Sequence, residues 1–105
     1  MGAVDVYRRL GSVTTILAIG LNEAKIMNGA TRPLVSLERF RSLLGEYSGV
    51  MSKRDVNIVY LGTEVLTSDT IVTENGNTFE DDLVAEYDAL IAEQAHKDGM
   101  PYVSM

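Results

Sequence analysis

Between Phe79 and Ala95 the apolar residues Phe79, Leu83, Val84, Tyr87, Leu90, Ile91 and Ala95 recur at steps of one, three and four, which sets them along one side of a 3.6-residue helix. The stripe is bracketed at both ends. Asn75-Gly76 precedes it, a pair that accepts the positive φ angles of a tight turn, and Gly99 and Pro101 close it after Lys97. A helix over 79–97 with one apolar side obliges the rest of the chain to supply a layer for that side to rest on. At its start Thr78 and Asp81 have the spacing of a capping pair, and Glu80, Asp81 and Asp82 fall where carboxylates complement the positive end of the helix dipole by about 0.3–1 kcal/mol each. Local helix physics therefore accounts for the acidic triplet without a ligand.

The remaining segments read as two helices and a small sheet. From Val6, the positions Leu10, Val13, Leu17, Leu21, Ala24 and Met27 keep helical spacing up to Asn28-Gly29, which predicts a helix over 3–28. Opposing that reading, Val13-Thr14-Thr15-Ile16 is β-branched throughout and Gly11 and Gly20 interrupt the run. Ser36 opens a second helix over 36–48, with an apolar stripe at Leu37, Phe40, Leu43, Leu44 and Tyr47 and a stop at Ser48-Gly49. Residues 56–60 have strand composition, and 64–67 and 70–74 supply two further β segments, which predicts a meander. The tail Tyr102-Val103-Ser104 follows a proline and suits an edge strand. The fold expected is α+β: two N-terminal helices and one C-terminal amphipathic helix on a mostly antiparallel sheet of three to four strands. With 105 residues, the expectation is a single domain over 1–105, since a chain this long supports one modest core.

Several chemistries are excluded by composition. Cysteine is absent and His96 is the only histidine, which removes disulfides, thiolate metal sites, cysteine nucleophiles and any mechanism needing two imidazoles. His96 falls in a last helical turn, where it complements the dipole. No phosphate-loop, dinucleotide or nucleophile-elbow pattern occurs. Placing Gly76 at the glycine of a calcium loop puts Ile71 and Thr73 where the first two oxygen ligands belong, so that match fails. Asp82 and Glu86, one turn apart, read as surface acids. No cofactor and no metal are expected. The apolar run 13–21 is too short to span a bilayer, and Asp5, Thr14 and Thr15 spoil it as a signal peptide. A cytoplasmic location is the expectation that fits these features.

Charge is the informative quantity. Residues 1–54 carry a net +4 and residues 55–105 a net −10, a division that calls for the two halves to meet, within one subunit or between subunits. The expected partner-binding residues are Arg32, Arg39, Arg41, Lys53 and Arg54 on the basic side and Glu80, Asp81, Asp82, Glu86 and Glu93 on the acidic side. Tyr102 and Val103 are added as a strand for a neighbouring sheet edge. The function this implies is a non-enzymatic interaction or structural assembly protein forming homo-oligomers, or docking on another protein. The alternatives are a small enzyme or ligand-binding domain using Tyr60, Tyr87 and Asp69 in a cleft, and an acidic inhibitor or nucleic-acid mimic. The net charge of −6 and the few aromatics beside the basic residues argue against nucleic acid as a partner.

Overall fold

The computed structural model describes residues 13–63 and 69–104. The elements run β1 (Val13–Ala18), α1 (Leu21–Ala24), α2 (Leu37–Lys53), β2 (Val56–Leu61), β3 (Thr70–Val72), β4 (Thr78–Glu80), α3 (Asp81–Asp98) and β5 (Tyr102–Val103). The class is α+β, with three helices and two small sheets. The larger sheet has the order β1-β2-β5 and is parallel throughout; β3 and β4 form a separate antiparallel hairpin. The mostly antiparallel meander expected from sequence is thus corrected. Val56–Leu61 takes parallel partners on both sides, and α2 and α3 are the crossovers that parallel pairing requires.

The predicted helix over 3–28 is also corrected. Its first ten residues lie outside the described residues, Val13–Ala18 is strand, and only the single turn Leu21–Ala24 is helical. The β-branched run decides: Val13 to Ala18 pair one by one with Val56 to Leu61, and the ladder outweighs a helical periodicity that had no partner helix to face. Gly20, at φ 120°, turns the chain out of β1, its N–H donating to Glu23 Oε1 at 2.7 Å. Asn28-Gly29 does make the expected turn, with Gly29 at φ 86°.

Ser36 caps α2 as anticipated, its hydroxyl accepting from the Arg39 N–H at 3.1 Å. The helix does not stop at Ser48-Gly49 but runs on to Lys53. Two glycines inside it cost about 0.5–1 kcal/mol each relative to alanine, which the burial of Phe40 and Leu44 offsets. It ends where Asp55 adopts φ 58°, a left-handed conformation that aspartate tolerates.

The C-terminal helix begins two residues later than its apolar stripe. Thr78 is not its cap: it lies in β4 and exchanges both backbone hydrogen bonds with Ile26, while Phe79 pairs with Ile71. Glu80 takes the cap position with extended backbone and no side-chain bond. The first free N–H of α3, that of Asp81, goes instead to the Asp69 carbonyl at 2.8 Å. Asn75-Gly76 turns the β3–β4 hairpin, with Gly76 at φ 81°, and Gly99 closes α3 at φ 65°. The segment 64–67 predicted as strand is outside the described residues.

Both long helices lie on one face of the sheet. Phe40 and Leu44 from α2, Val84, Tyr87, Ile91 and Ala95 from α3, and Ile58 and Tyr60 from β2 are buried in one cluster with Ala24. The Phe40 and Tyr87 rings sit 5.1 Å apart, tilted by 54°. Because each helix returns the chain to start another parallel strand, α2 and α3 run in the same direction, opposite to the strands.

Candidate interaction surfaces

The shared direction of α2 and α3 decides where charge can accumulate. Leu37, Glu38 and Arg41 line a groove with Glu86, Ala89 and Leu90, and further along Ser48 and Ser52 share a cavity with Asp98 and Met100. The helices therefore advance side by side. Lys53 and Arg54, at the C-terminal end of α2, lie at the end of the molecule where the strands begin. Glu80, Asp81 and Asp82, at the N-terminal end of α3, lie at the opposite end. At 1.5 Å per residue a helix of 17 residues separates them by about 25 Å, roughly three Debye lengths in physiological salt, so the two clusters do not neutralise each other within a subunit.

The basic and acidic residues anticipated as one complementary pair of patches are divided by this geometry. Arg41 pairs with Glu93 across the two helices and Arg39 with Glu46 along α2, each at 3.4 Å. Among the described residues the basic half thus meets the acidic half through one ion pair, Arg41–Glu93. Both pairs are solvent-exposed, a setting worth about 0–1 kcal/mol. Arg32 is exposed in the loop before α2, Lys53 and Arg54 are exposed at its end, and none of the three forms an ion pair among the described residues. Glu80, Asp82 and Glu86 are exposed and Asp81 half-buried, again without ion pairs among the described residues. Tyr102 and Val103 serve the chain's own sheet: they pair with Tyr60 and Leu61, so the tail is an edge strand, already engaged along β2.

The tyrosines and carboxylates are brought together, but as fixed hydrogen bonds. Tyr60 donates to Asp98 Oδ2 at 2.5 Å, and Gln94 Nε2 donates to the other oxygen at 3.0 Å. Tyr102 donates to Asp88 Oδ1 at 2.7 Å, which also accepts the Thr63 N–H at 3.1 Å. Tyr87 donates to the Val35 carbonyl. Burial first, and then the neighbouring carboxylate, pushes the Tyr102 hydroxyl up to about 12 and Tyr60 higher still; burial also raises Tyr87. Such phenols hold their protons near neutral pH. Asp69, the third residue considered for a cleft, is exposed at the hairpin, and its backbone carbonyl accepts from the Asp81 N–H of α3.

Sequence reasoning missed the other face of the sheet. In a parallel register partners point to the same side, so Thr14, Ile16 and Ala18 of β1, Asn57, Val59 and Leu61 of β2 and Val103 of β5 share the face away from the helices. Ile16 is 67% exposed and Val103 47%. None of the seven is charged. The strand signal in Val13-Thr14-Thr15-Ile16 could have revealed this face; the helical periodicity masked it.

No protein-family model, curated protein or solved structure matches the chain. Among the described residues no group of three or more His, Cys, Asp or Glu side chains could hold a metal ion, and no helix is long and apolar enough to cross a membrane.

Proposed function

We propose that the protein is a non-enzymatic assembly module that joins copies of itself head to tail, the basic end at Lys53 and Arg54 of one subunit meeting the acidic end at Glu80, Asp81 and Asp82 of the next. The observation that carries this reading is the placement of the two clusters, neither ion-paired among the described residues, at opposite ends of parallel helices. Complementary surfaces on opposite ends make a heterologous contact, which generates closed rings or open stacks rather than two-fold dimers. The helix termini moderate both clusters, since the C-terminal end of α2 is partially negative beside Lys53 and Arg54 and the N-terminal end of α3 partially positive beside the acids, so the contact rests on the side-chain charges. In this reading Arg39, Arg41 and Glu93 support the subunit, while Arg32 and Glu86 flank the contact. The resting state of the tyrosines, protonated and bonded, favours an interaction protein over an acid–base catalyst.

Light scattering on a sizing column at tens of micromolar protein tests this. Oligomers at 20 mM salt that shrink at 500 mM salt are expected. Lys53→Glu with Arg54→Glu is expected to be monomeric, as is Glu80→Lys with Asp82→Lys, and mixing the two variants is expected to restore a complex. A monomer at every salt concentration, or a mixture that stays monomeric, refutes the head-to-tail contact.

A further inference from the structure

The two borders of the larger sheet are treated unequally. An edge strand presents a row of unpaired backbone N–H and C=O groups, and folded chains ordinarily blunt it with a short strand, a proline, a charge or a bulge. At one border β5 has only two residues and follows Pro101. At the other, β1 runs for six residues, Val13–Ala18, without a charge or a proline, and pairs one to one with β2 without a bulge. No described strand lies along its outer side. Which groups point there follows from the ladder, because successive residues of a strand turn their N–H and C=O groups to opposite sides. Tyr60 and Gly62 donate toward β5, so Val59 and Leu61 face β1. In a parallel register they bond to the residues flanking their partners Ile16 and Ala18, which are Thr15, Leu17 and Ile19. Thr14, Ile16 and Ala18 therefore turn their backbone groups outward.

This outward row is complementary to itself. A two-fold axis through Ile16 sets two copies of β1 antiparallel, the sense in which one edge meets an identical edge. Ile16 then stands opposite its own mate and Thr14 opposite Ala18, each pair exchanging two backbone hydrogen bonds, while Thr15 stands opposite Leu17 on the helix face. Moving the axis to Thr15 or Leu17 leaves Ala18 or Thr14 facing a residue outside the strand. Ile16 is 67% exposed, and the pairing covers it with an identical β-branched side chain. Charge favours the same sense. Lys53 and Arg54 lie where the strands begin and Glu80 to Asp82 where they finish, so antiparallel copies set the basic end of one beside the acidic end of the other. We propose that the outer edge of β1 docks a second copy of itself, joining two three-stranded sheets into one across a two-fold axis at Ile16. The contact is separate from the head-to-tail one and uses no charged side chain. A contact through one strand edge stays under the roughly 1,200 Å² of a stable interface, so it forms near millimolar concentration or between subunits already linked.

Sedimentation equilibrium in 500 mM salt, where the head-to-tail contact is screened, tests this pairing independently of that contact. Full-length protein at about 1 mM is expected to hold at least a third of its chains as dimer. Ile16→Lys, which changes an exposed side chain and leaves the core intact, is expected to return it to monomer. Parent protein that is strictly monomeric at 1 mM overturns the proposal and leaves the edge to a strand of another protein; a dimer that Ile16→Lys does not reduce overturns it as well. The register is read separately, since the chain has no cysteine. Ile16→Cys is expected to form a disulfide between chains at least tenfold faster than Ala18→Cys, because the two Ile16 positions stand about 5.5 Å apart and the two Ala18 positions about 14 Å. Equal rates, or a faster Ala18→Cys, overturn the pairing at Ile16.

Discussion

Replacing Gly20 by alanine asks whether the β1–α1 turn is held as tightly as its geometry implies. Gly20 has φ 120°, a conformation that costs an L-residue on the order of 1–3 kcal/mol. A β-carbon built there stands 2.8 Å from Thr63 Cγ2 and 3.1 Å from Ile91 Cδ1. Neither neighbour yields easily: Ile91 is 1% exposed in the core, and the Thr63 backbone is fixed by Asp88. Overpacking of this kind adds roughly 1–3 kcal/mol, so Gly20→Ala is expected to destabilise by about 2–6 kcal/mol, a large share of the 5–15 kcal/mol typical of a whole domain. Gly45→Ala makes the same chemical change with the opposite sign. Gly45 is exposed inside α2 with nothing within 4 Å of the added carbon, so a gain of about 0.5–1 kcal/mol is expected. Urea unfolding followed by circular dichroism at 222 nm measures both as shifts of the midpoint at constant slope. A Gly20→Ala midpoint within experimental error of the parent would refute the reasoning, and a destabilised Gly45→Ala would refute its second half.

Two other outcomes follow from the hydrogen-bonded tyrosines. Tyr60→Phe removes the hydroxyl that reaches Asp98 at 2.5 Å; a bond to a charged group is worth about 1.5–3 kcal/mol, reduced here because Asp98 keeps Gln94 and borders an open cavity of about 350 Å³, so a loss of about 1–2 kcal/mol in urea unfolding is expected. In alkaline solution the unfolded chain releases tyrosine protons near 10 while the folded chain keeps that of Tyr102 to about 12, so the folded state binds more protons in that window and stability falls as pH rises through it. Absorbance at 295 nm should show Tyr60, Tyr87 and Tyr102 ionising only with unfolding, and reversible ionisation of every tyrosine at pH 10 in folded protein would contradict the hydrogen bonds.

What the sequence made legible is what depends on local rules. Ser36, Gly76 and Gly99 were readable because a cap, a hairpin turn and a helix stop each need a particular residue at one place, and the structure uses all three so. The buried stripe of α3 was readable because its periodicity coincides with its environment. The register of β1 was not: Val13–Ala18 satisfies helix spacing and strand composition at once, and only the presence of Val56–Leu61 alongside, 43 positions later, resolves the conflict. The direction of the sheet was equally hidden, since parallel and antiparallel strands share a composition and differ in where the crossovers go. For the candidate surfaces, sequence identified the charged residues but not their distribution; the common direction of α2 and α3 sends Lys53 and Arg54 to one end and Glu80 to Asp82 to the other. The apolar face of the sheet depends on a strand that the periodicity argued away.

The pairing of β5 with β2 also sets the order in which this chain can finish folding. Tyr60 and Tyr102 are partners across 42 positions, and the backbone N–H groups of Tyr60 and Gly62 donate to the carbonyls of Pro101 and Val103 at 2.9 and 2.7 Å. Until those residues arrive, one side of β2 is an exposed strand edge carrying Val59, Tyr60 and Leu61, and β1 can be joined only after its own long crossover has closed. Both ladders are non-local, the condition that slows folding and lengthens the lifetime of unpaired edges. During synthesis at about 5–20 residues per second, β2 therefore waits at least two seconds for its last partner, and the nascent chain is most prone to misassociation during that interval.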